Sequence, residues 1–265
     1  SVNGFGEIVS LLLASGAHAC KCMDGGFSPL AMACYRGHLE VVSILLSGRG
    51  QVNQANDEGV SPLFLACSEG RLACVQLLCS YGAARSDDGD DMGEIAMTLG
   101  HTEVAEWLSH TRCWVTPLHY LGVVSSDRAI ALLRAGANLY ASDMTKQRCS
   151  SCPVTPLTLA IAMRAAGKVE KGSTADLVLR AAEPWSCSNH FLFPLASRLY
   201  AVELFKLGLL LARSGRFHRE GEALCDVWLY HVMPHAISRT SSDAPNTSNE
   251  MQNAIDPNAL HGASL

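Results

Sequence analysis

The chain has 265 residues, 48% hydrophobic and 17% charged, a composition that supports a buried core and excludes a wholly disordered chain. Twenty Lys and Arg against 25 Asp and Glu leave a net charge of −5, which argues against a general nucleic-acid partner or a polybasic membrane anchor. Apolar runs such as Leu207–Ala212 fall far short of the roughly 20 residues that span a bilayer, so no membrane partner is expected.

In chain order, Glu7–Ala17 reads first, as the outer helix of a truncated first unit that ends on Gly16-Ala17. The chain starts at Ser1 inside what reads as a helix, as expected for a fragment of a longer chain, and no secretory leader is visible. Two segments then align without a gap. Gly26-Phe27-Ser28-Pro29-Leu30-Ala31 through Gly37-His38 matches Gly59-Val60-Ser61-Pro62-Leu63-Phe64 through Gly70-Arg71 at an offset of 33 residues. A fixed period in this range marks a stacked repeat. Ser28 and Ser61 are placed to cap an inner helix, with Pro29 and Pro62 in its first turn, where a missing N–H costs nothing. Gly37 and Gly70 permit the turn into the outer helices Leu39–Leu46 and Leu72–Leu78.

A looser fourth unit covers Met92–Leu108, with Met92 in the proline position and Gly100-His101 at the helix turn. A fifth opens on Thr116-Pro117-Leu118-His119 and closes at Gly136-Ala137, and a sixth opens on Thr155-Pro156-Leu157. Positions 29, 62, 92, 117 and 156 are separated by 33, 30, 25 and 39 residues. The series predicts a shortened hairpin after Gly82-Ala83, almost no finger before Thr116, and an insertion around 146–153. From Pro184 the pattern changes. Ser197–Arg213 has helical apolar spacing, and Glu220–Ile237 gives another helix with Leu224, Val227, Trp228 and His231 on one face. Beyond Ser238 the chain is polar and reads as a disordered tail.

The opening Gly-x-Ser/Thr-Pro-Leu, the short helix, the Gly-His turn and the Gly-Ala ending resemble the ankyrin repeat. That resemblance implies an all-α solenoid of five to six helix-turn-helix units with short hairpin fingers and a helical C-terminal cap. The expected domains are 1–183 as repeats, 184–237 as cap or module, and 238–265 as tail. The resemblance also implies a non-catalytic scaffold or adaptor that holds a protein on its concave face. The positions lining such a face surround the opening glycine and precede the turn glycine. Here they are Asp24, Phe27, Tyr35 and Arg36 in the second unit, and Asp57, Glu58, Val60, Ser68 and Glu69 in the third. Asp87, Asp88 and Asp90 follow in the fourth. The mixture fits an aromatic anchor within a polar rim.

Cys149-x-x-Cys152 supplies two zinc ligands where four are needed, with Cys20, Cys22, Cys113, Cys187 and His190 as partners to consider; an unmetallated loop is the plainer reading. The run Asp87-Asp88-Gly89-Asp90-Asp91 lacks the spacing of a calcium loop and falls on a fingertip, where it is either solvated or a dock for a basic segment. His119 is assigned to bonding of neighbouring hairpin backbone, as the resemblance implies. His38 and His101 follow the turn glycine and read likewise, and His218, His231 and His235 pair with no recognisable nucleophile. No catalytic, cofactor or metal residue is assigned. The eleven cysteines are odd in number, and Cys34, Cys67, Cys74 and Cys79 sit at helical packing positions, which favours a reducing compartment. A monomer in the cytoplasm or nucleus is expected.

Two other readings stay open. Pro194-Leu195 before a helix resembles the opening of a SOCS box, which would make the chain a substrate receptor of a ubiquitin ligase. Leu199 stands where that box has a small residue, and its downstream Leu-Pro is missing. The third reading is a regulatory repeat region of a longer enzyme or channel.

Overall fold

The computed structural model describes residues 2–87, 90–112, 114–142, 154–213 and 225–237. Asp88, Cys113, Cys149, Cys152, His218, the expected insertion at 146–153 and the polar tail from Ser238 lie outside the described residues. The fold is an all-α helical repeat, and the chain divides into two compact units: residues 1–123 with 142–154, and residues 124–141 with 155–265.

In the first unit α1 (Val2–Ala14) precedes the hairpins α2–α3 (Pro29–Arg36, Leu39–Ser47), α4–α5 (Pro62–Ser68, Leu72–Ser80) and α6–α7 (Met92–Thr98, Thr102–His110). Helices α2, α4 and α6 pack in sequence as one layer, and α1, α3, α5 and α7 as a second. The local chemistry follows the repeat. Ser28 Oγ accepts from Ala31 N at 3.1 Å, and Ser61 Oγ accepts from Phe64 N at 3.2 Å. Gly37 turns the chain with φ 73°, a left-handed conformation that any Cβ would strain. Leu30, Leu63, Leu78 and Met92 are fully buried at the seam between the layers. Each such leucine contributes about 2 kcal/mol of transfer free energy.

Between the helix pairs the chain closes short fingers. Met23 N donates to Phe27 O at 3.1 Å and Asn56 N to Val60 O at 3.0 Å, equivalent bonds one repeat apart. In the fourth repeat the same place holds two-residue strands β1 (Ser86–Asp87) and β2 (Asp90–Asp91), with Ser86 opposite Asp91. The fifth repeat departs from the pattern. Its opening forms only a 3-10 turn, Pro117–His119, where an inner helix would stand. Gly122 and the β-branched pair Val123-Val124 follow directly, all poor helix formers, and Ser125 already caps the next helix.

The second unit contains α8 (Ser126–Arg134), α9 (Pro156–Ala165), α10 (Thr174–Ala182), a 3-10 turn at His190–Leu192 and α11 (Leu195–Arg213). A π turn at Trp228–Val232 then leads into α12 (Met233–Ala236). Thr155 and Thr158 cap α9 reciprocally, at 2.8 and 3.1 Å. The core around α11 comprises Trp185, Phe193, Ala201, Met233 and Ile237, with Leu204, Trp228 and Leu229 against it. Here the apolar faces expected from the sequence are displaced. Val227 is 53% exposed and His231 is exposed, while Leu229, Met233 and Ile237 face the core. The wide π turn advances the chain by an extra residue and shifts the buried stripe. On α11, Leu199, Val202, Phe205, Leu207 and Leu210 are exposed, and the packed side is the small-residue edge Ala201, Leu204 and Gly208. Trp228 explains this choice. Its indole N–H donates to Leu204 O at 2.8 Å, and a Cβ on Gly208 would lie 2.5 Å from the indole Cδ1.

Candidate interaction surface

The surface residues expected from the repeat divide between fingertips and inner-helix ends. At the tips, Asp24, Asp57 and Glu58 are exposed, and Phe27 and Val60 are half-buried supports behind them. Asn56 is buried and organises the third-repeat tip, because its Oδ1 accepts from Glu58 N at 3.1 Å and from Val60 N at 2.7 Å. Asp57 N also donates to Gly25 O at 3.3 Å, so the second and third tips are joined backbone to backbone. Asp87 and Asp90 are paired in the fourth-repeat hairpin.

At the helix ends, Tyr35 and Arg36 close α2, and Ser68 and Glu69 close α4, which packs beside it. The Arg36 guanidinium lies 5.7 Å from the Tyr35 ring centroid, and both side chains are exposed. Ser68 is less available than the sequence suggests: its hydroxyl donates to Leu65 O at 3.1 Å, and its carbonyl accepts from His101 Nε2 at 2.9 Å. No ion pair holds Asp24, Arg36, Asp57, Glu58 or Glu69 within the described residues. They present charge outward.

Of the histidines expected to be structural, His101 and His119 are held by backbone. His119 is 1% exposed; its Nδ1 accepts from Thr116 N at 3.2 Å, so Nε2 carries the proton donated to Val154 O at 3.2 Å. Cysteines at the helix seams are buried. Burial pushes Cys67 up to about 12 and Cys74 to about 11, and raises Cys34 and Cys79 as well. Thiols so placed stay protonated and unreactive. Of the described members of the zinc alternative, Cys22 Sγ accepts from Gln54 Nε2 at 3.1 Å, Cys187 is exposed, and His190 Nδ1 accepts from Trp185 Nε1 at 3.0 Å.

Two features escaped the sequence. Met97 and Leu99, at the end of α6, are 54% and 53% exposed and add apolar surface beside the α4 terminus. Arg85 is the second. Its guanidinium donates to Thr111 O at 2.7 Å and to the Tyr120 hydroxyl, and lies 5.6 Å from the Trp107 ring centroid. Trp114 completes this cluster edge-on to Tyr120 at 5.0 Å. Burial raises the Tyr120 hydroxyl to about 12 even though Arg85 opposes the shift, so it remains a protonated phenol. Three aromatic residues spread over 107–120 gave no pattern at helical spacing, because the chain from Trp114 to Tyr120 holds no α-helix.

A family model described as ankyrin repeats (3 copies) matches residues 1–92 and 42–117. None of the curated proteins matches the chain. No described helix is long and apolar enough to cross a membrane.

Proposed function

The chain is an ankyrin-repeat protein through residues 1–117, and from that premise we propose that it is a non-catalytic scaffold holding a partner protein on the fingertip and inner-helix surface of repeats two to four. Ankyrin repeats are protein-interaction modules, and the specific contribution here is the outward set Asp24, Asp57, Glu58, Tyr35, Arg36 and Glu69. Phe27, Val60, Ser68, Asp87, Asp88 and Asp90 border it. The observation that carries the reading is the Tyr35–Arg36 pair: an exposed aromatic stacked with a guanidinium, free of any ion pair within the described residues, beside unneutralised acids. Aromatic and arginine side chains of this kind dominate binding energy when a partner buries them.

Residues 184–237 are proposed as a helical C-terminal cap or module, and the core that Trp185, Phe193, Ala201, Met233 and Ile237 share supports its being one helical element. The chain is proposed to be a monomer in the cytoplasm or nucleus; the free thiols of Cys34, Cys67, Cys74 and Cys79, buried at packing positions, support the compartment. Affinity capture from native lysate tests the surface. A specific partner retained by wild type and by Glu103→Ala on the outer helix α7, but lost by a folded Tyr35→Ala, Arg36→Ala double variant, supports it. Undiminished capture by the double variant rejects it.

A further inference from the structure

Helix α11 is apolar on nearly every side, and its neighbours cover only one edge. Ala201 and Gly208 are buried and Leu204 is half-buried, three residues that share an edge at 3.6 residues per turn. Opposite that edge run Leu199, Glu203, Lys206 and Leu210, spaced four, three and four residues apart. Leu199 and Leu210 are 59% and 67% exposed, and the Glu203 and Lys206 side chains 69% and 61%. Leu195, Val202 and Leu207 flank this line and are exposed as well. A helix apolar all round is ordinarily buried, so the outer side of α11 calls for a cover.

Spacing, charge and area together specify a second copy of the same helix. Steps of four and three residues form the seam along which two helices interlock. This seam reads Leu-Glu-Lys-Leu, so it is its own complement when two copies run antiparallel about a two-fold axis. In that arrangement Leu199 meets Leu210 of the second copy and Glu203 meets its Lys206, each contact occurring twice. Charged residues within an apolar seam fix register and orientation. In the single chain Lys206 Nζ lies 2.8 Å from Glu203 Oε1, so the seam is neutral and offers a lipid surface no basic belt. The seven outer side chains are each about half exposed. At roughly 200 Å² for a whole large side chain they present on the order of 700 Å². A dimer of standard size covers roughly 800 Å² per partner.

The helix is held ready for such a partner. Its covered edge is clamped by Trp228, whose indole N–H donates to Leu204 O at 2.8 Å. The loop leading into it is fixed by Asn189, which is 1% exposed and uses its whole amide. Its Oδ1 accepts from Ser186 N at 2.7 Å, and its Nδ2 donates to Arg180 O at 3.0 Å and Pro184 O at 2.9 Å. Little ordering is therefore left for association to cost. We infer that α11 is a self-association surface along which two copies of the chain pair antiparallel, Leu199 on Leu210 and Glu203 on Lys206. The folded monomer is the dissociated state of this dimer, and the stability of the dilute single chain does not depend on the pairing. The surface is separate from the fingertips and stands or falls independently of them.

Sedimentation velocity of the full chain from about 1 to 100 μM tests the pairing, a range that brackets the weaker interfaces of this size. Wild type is expected to pass reversibly from monomer to dimer, and so is Tyr140→Ser, which removes a 63% exposed aromatic outside α11. Glu203→Lys and Lys206→Glu each set like charges against one another across the axis, and each is expected to weaken dimerisation by about ten-fold or more. Mixing these two variants in equal amounts is the decisive measurement. Each supplies the charge that the other lacks, so the mixture is expected to dimerise within about three-fold of wild type. A defect confined to folding is not repaired by mixing, and melting curves of both variants check it. Wild type that stays monomeric throughout overturns the proposal and leaves the face to another protein or to a segment of this chain. Single variants that dimerise as wild type does, or a mixture that fails to recover, overturn it equally.

Discussion

Helices α2 to α5 and the segment from α11 to α12 are both rich in leucine, yet they use it in opposite ways. In α2–α5 the leucines at repeat positions 30 and 63 are 1% exposed, and every helix has its own cap or turn signal. On α11 seven large hydrophobic residues stand in solvent, while Ala201 is buried and Gly208 lies close against the Trp228 indole. Burial thus follows how near two backbones can approach, and the number of apolar side chains does not decide it. Where a neighbouring indole already fills the gap, the small residue goes inside.

Substitutions can break that contrast, and the largest effect belongs to the first region. Leu78→Ala opens a cavity in a fully buried site of α5 and is expected to cost about 3 kcal/mol, read from urea denaturation. Asn189→Ala comes next. It strands the carbonyls of Arg180 and Pro184 in a buried loop, an expected loss of about 2 kcal/mol in the same measurement. If Asn189→Ala proves neutral, the 184–189 loop is not held as described.

The buried thiols separate the regions by pH. Cys67 has its pKa raised from about 9 to about 12 by burial, so the folded chain keeps a proton that the unfolded chain releases. Stability from this thiol is whole below pH 9 and declines as pH rises from about 9 towards 12, by at most about 1.4 kcal/mol per pH unit. Cys67→Ala should flatten the alkaline part of the melting profile; an unchanged slope would place the loss elsewhere. Leu210→Ser is the smallest test: 67% exposed, it should alter stability by less than about 0.5 kcal/mol. A drop of several times that size would mean this face is covered.

The sequence was most legible where one residue type answers one local need. Ser28, Ser61 and Thr155 are caps because their hydroxyls reach an amide three residues on, and Gly37 turns because only glycine accepts its φ without strain. The buried cysteines were legible because they repeat a packing position. What could not be read depends on neighbours distant in the chain. His119 and its Thr-Pro-Leu opening look the most faithful of all, yet the helix stops there because Gly122-Val123-Val124 cannot extend it. The outward leucines of α11 depend on Trp228, twenty residues beyond Gly208, and on a π turn that no apolar period reveals. Among the expected surface residues, Tyr35 and Asp57 are exposed, while Ser68 is engaged by Leu65 and His101.

The inward course of Arg85 has a kinetic consequence. It is the cation nearest in sequence to the acidic fourth-repeat tip, but its guanidinium is committed to Thr111, Tyr120 and the Trp107 face. Arg85 is therefore not available as a counter-charge, and among the described residues no ion pair engages Asp24, Asp57 or Glu58, whose negative field extends outward. A field of this kind accelerates the diffusional encounter with a positively charged partner and fades once salt shortens its reach below about 8 Å. Association rate, more than residence time, is the quantity through which ionic strength would govern this protein.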